Sequence, residues 1–417
     1  MNNWNNTRLK NLLKEPLAYG LNVSSELDDH NMPRYIRITD FDDFNNLNEQ
    51  TFKSLPIEIA QGALLKDGDL LFARSGASVG KTYLYQPLPN GACYAGYLIK
   101  ARFNKHVVNP KYVYYFTKSQ EYENWKNSTY IQATIQNISA EKYYQLPIFL
   151  PSIEEQDKMV SYLDTKLSEI DHQVSLLTSK RDAYLRLKKS VISRAVTKGL
   201  NPNVKMKDSG VEWIGEVPEG WKAQKLKRVA LIQTGNTPST DVKRYWENGT
   251  IDWYTPGDFN EEHTCLGSSL RKISAKAIEE KEVKNFPCNT VLLVGIGATL
   301  GKVALSPKGC SANQQINGII FKDCMLPQYG TYLLFSARNY IRSLSNSATL
   351  PILNKMITGE IQICTPPLSE QRAIAAYLDD KCSKIDRIIS NLDKQISKYG
   401  ALKRSLIDEV ITGKRAI

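Results

Sequence analysis

The sequence predicts an α+β protein: two tandem globular regions of mixed helix and strand, separated by two long antiparallel coiled-coil helices, with a pseudo-twofold internal repeat. Three observations predict it. The stretch Glu155–Lys198 returns 215 positions later, without a gap, as Glu370–Gly413. Within each copy the apolar residues step by four and three. The repetition also extends into the region ahead of each copy, and self-similarity over this length marks a duplicated unit.

The helices are the clearest part. Glu155-Gln156 meets Glu370-Gln371, Tyr162-Leu163-Asp164 meets Tyr377-Leu378-Asp379, Ile170-Asp171 meets Ile385-Asp386, and Leu187-Lys188 meets Leu402-Lys403. Leu163, Leu167, Ile170, Val174, Leu177, Tyr184, Val191 and Ala195 form the first apolar seam. Leu378, Ile385, Ile389, Leu392, Ile396, Tyr399, Leu406 and Val410 form the second. Such stepping predicts a long helix with a coiled-coil face. Neither copy contains Pro, and before the final Gly413 the one glycine in either is Gly400. At 1.5 Å per residue each helix would be about 60–65 Å long. The basic positions on them (Lys180, Arg181, Arg186, Lys188, Lys189, Arg194, Lys398, Lys403, Arg404) read as solvated faces or a partner-binding surface.

The globular regions repeat more loosely. Trp4, Leu9-Lys10 and Leu12 match Trp221, Leu226-Lys227 and Val229, and Asp40-Phe41 matches Asp258-Phe259. Leu71–Lys81 matches Leu292–Lys302 at a shift of 221, and Ala133-Thr134 matches Ala348-Thr349. The expected segments are 1–150 and 215–366 for the globular regions, 151–199 and 367–417 for the helices, and 200–214 for a connector. Residues Arg34–Thr39, Asp69–Ala73, Tyr97–Phe103, Val291–Val294 and Ile316–Phe321 read as strands, being short β-branched and aromatic runs between turn residues. Pro110–Lys118 and Pro327–Ser343 read as shorter helices, and Gln145–Pro151 and Glu360–Pro367 as last strands leading into the long helices. Ser152 and Ser369 are the expected N-caps. From Gly199 to Trp221 the Gly, Pro and Lys content predicts an extended connector with few contacts. If the second region docks near the far end of the first helix, the second helix runs back antiparallel, holding the two regions at opposite ends.

Composition narrows the function. A net charge of +11 and a pI near 9.1 point to a polyanionic partner, most simply nucleic acid. No apolar run approaches the ~20 residues needed to span a bilayer, and the N-terminus lacks a signal-peptide pattern. The seven cysteines form no CxxC pair and the four histidines are dispersed, which fits reduced thiols in a cytoplasmic protein and argues against a metal site.

Two motifs are decoys. Gly76–Thr82 and Gly297–Val303 resemble a nucleotide-binding P-loop, but three residues rather than four separate the glycines, and Val303 replaces the magnesium-binding hydroxyl. They read as tight turns between strands, or as turns that also present Arg74, Ser75, Lys81 and Lys302 to a phosphate backbone. Asn109-Pro110-Lys111-Tyr112 superficially matches the Asn-Pro-Pro-Tyr motif of adenine methyltransferases, yet Lys111 replaces the second Pro and a helix start explains it. There is no set of catalytic residues. What remains is surface suited to DNA: Arg34, Arg37, Lys100, Arg102, Lys105, Arg271, Lys272 and Lys276 as cations, and Gln132, Gln136, Asn313, Gln314, Gln315 and Asn317 as amides. Arg and amide side chains are those that read guanine and adenine. The cluster near Gly318 has internal turn hydrogen bonding as its other reading.

Taken together, these residues resemble the specificity subunit of type I restriction-modification enzymes, across essentially the whole chain. The resemblance rests on Ile214–Trp221 leading into Leu226-Lys227 and Gly235-Asn236-Thr237-Pro238, on the two glycine turns, and on the junctions Leu150–Gln156 and Pro366–Gln371. The first region lacks the Ile-Gly-Glu-Val-Pro opening and keeps only Trp4 and Leu9-Lys10. The resemblance implies a non-catalytic DNA reader with two target-recognition domains, each reading one half of a split double-stranded target, asymmetric because the regions differ outside the scaffold. It implies that the helices set the spacing and dock two copies of an adenine-N6 modification methyltransferase subunit, joined by restriction and translocase subunits. It also implies that this chain binds no cofactor, with S-adenosylmethionine, ATP and magnesium held by those partners. The alternative from another class is a stand-alone DNA-binding protein or repressor with no methyltransferase partner.

Overall fold

The computed structural model describes residues 4–23, 26–130, 137–345 and 352–417. It divides into two compact units, Met1–Leu177 with Lys394–Ile417, and Thr178–Asp393. Each unit is a mixed α/β body carrying part of both long helices, Ile153–Lys198 and Leu368–Ile411. The α+β architecture expected from the repeat is therefore present, as two copies of one scaffold.

In the first unit the strands are β1 (Asn5–Arg8), β2 (Ala18–Tyr19), β3 (Arg34–Ile36), β4 (Leu70–Ala73), β5 (Thr82–Leu84), β6 (Ala92–Tyr94), β7 (Leu98–Ala101) and β8 (Pro147–Leu150). The main sheet has the antiparallel order β2-β7-β4-β5, with Phe72 opposite Ile99 and Leu71 opposite Lys100. Successive residues of a strand face opposite ways, and here both faces are covered. Leu70 and Phe72 join the core that includes Tyr112, Tyr143 and the helix residues Leu163, Leu167 and Leu406, while Leu71 and Ala73 join a second core with Ile36, Tyr83 and Tyr94. β3 pairs in parallel with β6, and β1 pairs antiparallel with β8, tying the chain start to the strand that feeds the long helix.

The second unit repeats the scheme with β9 (Met206–Asp208), β10 (Glu216–Pro218), β11 (Lys222–Lys225), β12 (Ala230–Thr234), β13 (Ile251–Tyr254), β14 (Arg271–Ile273), β15 (Thr290–Val294), β16 (Val303–Ser306), β17 (Ser311–Ala312), β18 (Ile316–Phe321) and β19 (Gln362–Thr365). Its main sheet is β12-β18-β15-β16, and β11-β19 is the counterpart of β1-β8. Val291 and Leu293 face the core holding Ile192, Val196, Ile374 and Leu378, and Leu292 and Val294 face the core around Phe286. One glycine recurs for a reason of space. A Cβ at Gly20 would lie 2.3 Å from the Tyr94 carbonyl oxygen, and one at Gly235 would lie 2.3 Å from that of Ala312.

Within each unit the two long helices run antiparallel. In the second, Arg181 Nε lies 2.7 Å from Asp393, and seven residues further along one helix and seven back along the other, Lys188 Nζ lies 2.6 Å from Asp386. In the first, Lys403 Nζ lies 2.6 Å from Asp171. Arg181, Lys188 and Lys403 are thus cross-helix partners rather than the solvated positions their charge predicted.

Both long helices are pinned at their starts. Ser152 Oγ accepts from the Glu155 N–H at 3.3 Å while the Glu155 carboxylate accepts from the Ser152 N–H at 3.0 Å, a reciprocal capping box. Ser369 is not the matching cap. The second helix begins at Leu368, because Pro367 holds the position that Ser152 holds in the first copy, and Ser369 falls inside the first turn. Just beyond, a buried glutamine recurs. Gln156 accepts from the Asn109 N–H (2.9 Å) and donates to the Pro151 carbonyl (3.0 Å); Gln371 accepts from the Leu326 N–H (2.8 Å) and donates to the Pro366 carbonyl (2.9 Å).

The segment from Gly199 to Trp221 is not an extended connector with few contacts. β9 and β10 pair as a hairpin, and Val211, Ile214, Val217 and Trp221 are buried in the core of the second unit. Four large apolar residues outweigh the Gly, Pro and Lys around them, since burying each contributes about 1.5–3 kcal/mol.

Candidate nucleic-acid interface

The glycine turns join antiparallel strands, β4 to β5 and β15 to β16. Gly76 and Gly80 have φ of 74° and 80°, and Gly297 and Gly301 of 80° and 85°, backbone that only glycine adopts freely. In each turn the lysine that follows folds back. Lys81 Nζ donates to the Phe41 carbonyl, and Lys302 Nζ donates to that of Phe259 at 3.2 Å. These lysines clamp the loop that follows the repeated Asp-Phe pair.

Several predicted DNA-contacting cations are engaged inside the first unit. Arg34 is buried, with Nη1 on Glu49 (2.5 Å) and Nη2 on the Asn48 carbonyl (2.7 Å). Arg37 donates to Asp40, Glu26 and the Thr51 carbonyl. Arg102 forms a bidentate pair with Asp69 at 2.7 and 2.6 Å, and Lys100 pairs with Glu15 at 2.7 Å. Asp69 and Asp40 are fully buried, so these arginines neutralise carboxylates the fold has already taken out of water. Lys105 and Lys272 make longer surface pairs with Asp67 and Asp252. Gln132 and Gln136 lie outside the described residues, as does the Ala133-Thr134 repeat with Ala348-Thr349.

The amide cluster divides. Asn317 is buried, accepting from Thr234 and donating to the Leu353 carbonyl and Thr358, so it is a scaffold residue. Asn313 and Gln315 bond to one another across a turn. Gln314 is exposed and accepts from Thr237. The registers place this tip in correspondence with Gly96-Tyr97 of the first unit: Leu98 lies opposite Ala73 as Ile316 lies opposite Val294, and Arg74 N–H donates to the Tyr97 carbonyl as Gly295 N–H donates to that of Gln315. Tyr97 is 61% exposed and Arg74 stacks on the Tyr19 ring at 4.9 Å, with Ser75 half-buried beside it. Tyr97 and Tyr19 carry no repeat signal, so the sequence did not point to them. Arg271 is exposed and stacks on Trp246 at 4.0 Å. In each unit the same strand end thus offers open side chains, with different chemistry.

A cleft in the first unit lies between the glycine turn and the helices, lined by Lys81, Tyr114, Lys118, Lys126, Lys403 and Arg404 among others. Lys118 Nζ reaches only the Thr82 carbonyl at 3.4 Å and the Tyr114 ring at 4.8 Å. Burial pushes its ammonium down to about 8. In the second unit Arg338 donates from Nη1 to the Glu261 carbonyl at 2.9 Å, while Nε and Nη2 are buried without a hydrogen-bond partner. Burial holds this guanidinium below its ordinary value.

Of the seam residues, Leu163, Leu167, Ile170, Leu378, Ile385, Ile389 and Leu392 are buried, and Val174, Leu177, Tyr184, Ile396 and Tyr399 are half-buried. Among the described residues no group of three or more His, Cys, Asp or Glu is placed to hold a metal ion, and no helix is long and apolar enough to cross a membrane.

Comparison with known proteins agrees with this arrangement of two readers and two helices. The family model for the type I restriction modification DNA specificity domain matches twice, over residues 1–175 and 218–398. The MjaIX type I restriction enzyme specificity subunit of Methanocaldococcus jannaschii is 35% identical over 186 residues, 44% of this chain and 41% of that one. The StySPI specificity subunit of Salmonella potsdam is 24% identical over 395 residues, 89% of this chain and 81% of the other. Among solved structures, a chain from work on complex assembly and conformational transition of the type I R-M system shares the fold, with TM-score 0.71, 16% identity and coverage of 98% and 97%. The chain belongs to the type I restriction-modification DNA specificity family, as a specificity subunit that recognises DNA and leaves catalysis to its partners.

Proposed function

We propose that the chain reads a bipartite, asymmetric double-stranded DNA target, one half with each globular region, and that the paired helices set the number of unspecified bases between the halves. The observation that carries this is the duplication itself: one scaffold occurs twice, with the same Lys–Asp pairing in the helix segments of each unit but different side chains at the two reading tips. Two readers on a helical spacer suit half-sites about one DNA turn apart. The segmentation that goes with this reading assigns 1–150 and 215–366 to target recognition, and 151–199 and 367–417 to the spacer, linked by 200–214. Of the predicted contacts, Arg271 and Gln314 are exposed to DNA and Arg74 and Ser75 are half-buried beside the exposed Tyr97.

The same helices would dock two copies of an adenine-N6 modification methyltransferase subunit and, through it, restriction and translocase subunits in the cytoplasm. S-adenosylmethionine, ATP and magnesium belong to those partners in this reading, and none to this chain. The test is to remove one heptad from each helix, keeping the antiparallel register, and to sequence the methylated motif. Each helix shortens by about 10 Å, so the unspecified spacer should change while both half-sites persist. An unchanged spacer would defeat the reading.

A further inference from the structure

Beneath each glycine turn the chain keeps more cations than carboxylates, and we propose that these are seats for a backbone phosphodiester of the target DNA, one seat in each unit. This rests on the DNA-reading function proposed above and assigns it a place.

In the first unit the carboxylates lining the cleft are nearly all engaged. Glu123 holds Lys126 at 2.6 Å, Asp171 holds Lys403 at 2.6 Å, and Asp164 holds Lys111 at 2.7 Å. Lys118 and Lys81 have only carbonyl and ring partners, and Arg404, exposed on the second long helix, has none among the described residues. Asp43 in the lining and Asp42 beside it are the carboxylates left to face these three cations, and neither makes a direct ion pair with them among the described residues. Withdrawing an ammonium from water with no carboxylate in direct contact is costly, and an anion entering the cleft lowers the cost.

The second unit repeats the surplus in the corresponding place. Lys302 matches Lys81, and Arg342 borders Gly301 as Lys126 borders Gly80, each meeting a Cβ built on the glycine. Arg342 Nε donates to the Leu300 carbonyl at 2.9 Å, and Nε and Nη2 of Arg338 are buried without a hydrogen bond. Glu261, the carboxylate between the two arginines, stands 3.7 and 3.8 Å away.

The repetition identifies the ligand. The two units differ at their reading tips but share this surplus, so it serves a feature common to both half-sites. The phosphate backbone is the part of DNA that does not vary with sequence. A free nucleotide or pyrophosphate offers the same oxygens and is the rival source.

The test uses the full chain and a duplex carrying its methylated motif, with affinity followed by fluorescence anisotropy as salt is raised. Lys118→Gln, Arg338→Gln and Arg404→Gln should each reduce the slope of log affinity against log salt by about one. The recognised sequence should stay the same, and Lys118→Arg should keep the wild-type slope. Arg404 is exposed, so its variant does not depend on the fold tolerating a buried change. Wild-type slopes in folded variants overturn the proposal while leaving the DNA reading intact. Pyrophosphate binding that Lys118→Gln abolishes, with the DNA slope unchanged, overturns it in favour of a free anion. A wild-type chain that binds no duplex removes the underlying reading as well.

Discussion

Lys188 Nζ lies 2.6 and 2.8 Å from the two carboxylate oxygens of Asp386, and its counterpart Lys403 makes the same contact with Asp171 at the same distances. Lys188 and Asp171 belong to one copy of the duplicated helix, and Lys403 and Asp386 to the other. Each copy therefore supplies the lysine of one pair and the carboxylate of the other. The pairs differ in burial: Asp386 is 34% exposed and Asp171 is 59% exposed. Lys188→Ala should cost about 1–3 kcal/mol, and Lys403→Ala less, because water screens the carboxylate it leaves behind. Denaturant unfolding of the two variants checks the order; equal losses would contradict it.

Gln156 and Gln371 should be the most sensitive polar positions in the helix junctions. Each is buried, and each accepts from a backbone N–H ahead of a short helix while donating to the carbonyl of a proline. Gln156→Leu and Gln371→Leu keep the bulk but strand those groups, at about 1–3 kcal/mol each. Glu155→Leu disturbs only an exposed cap and should cost at most about 1 kcal/mol. Equilibrium unfolding curves for the three would settle the ranking.

The thiols offer a check on the fold that needs no mutation. Cys265, Cys288 and Cys324 are exposed, and Cys93, Cys310, Cys364 and Cys382 are buried. Burial pushes Cys93 up to about 12 and Cys310 and Cys382 up to about 11, so almost no thiolate forms there near neutral pH. A thiol reagent at pH 8 should modify the first group quickly and the second only on unfolding. Fast labelling of Cys93 or Cys310, located by peptide mapping, would contradict the placement of β6 or the core around Phe286.

Substitutions at the two reading tips should act on different halves of the target. Arg74→Ala or Tyr97→Ala should relax base preference in one half-site, and Gln314→Ala in the other, by about 1–3 kcal/mol per lost base contact. Binding to a duplex lacking the motif should change little. A variant that weakens both halves equally would place its side chain on the scaffold.

The duplicated scaffold was legible because its residues recur at fixed spacing: the helix seams, the glycine turns and the buried Gln156 and Gln371 all lie in repeated stretches. Charge was a poorer guide. Arg37 and Arg102 read as DNA contacts, yet their partners Asp40 and Asp69 are buried carboxylates that no periodicity links to them, Asp69 standing 33 residues from Arg102. Lys188 and Lys403 read as solvated for the same reason, their partners lying on the other helix. In the segment before Trp221, the buried Val211, Ile214 and Val217 are scattered among Gly, Pro and Lys, with no periodicity to mark them as core. Tyr97 escaped because the corresponding residue in the second unit is Gln315, so reading positions are where the repeat fails.

If this chain selects the DNA sequence its partners modify, removing it removes the mark. A map of N6-methyladenine in cells carrying this gene with its neighbours, set against cells lacking this gene alone, decides the matter. A split, asymmetric methylated motif should disappear on deletion and return when the gene is restored. An identical map in both strains, with the chain expressed, would contradict that role.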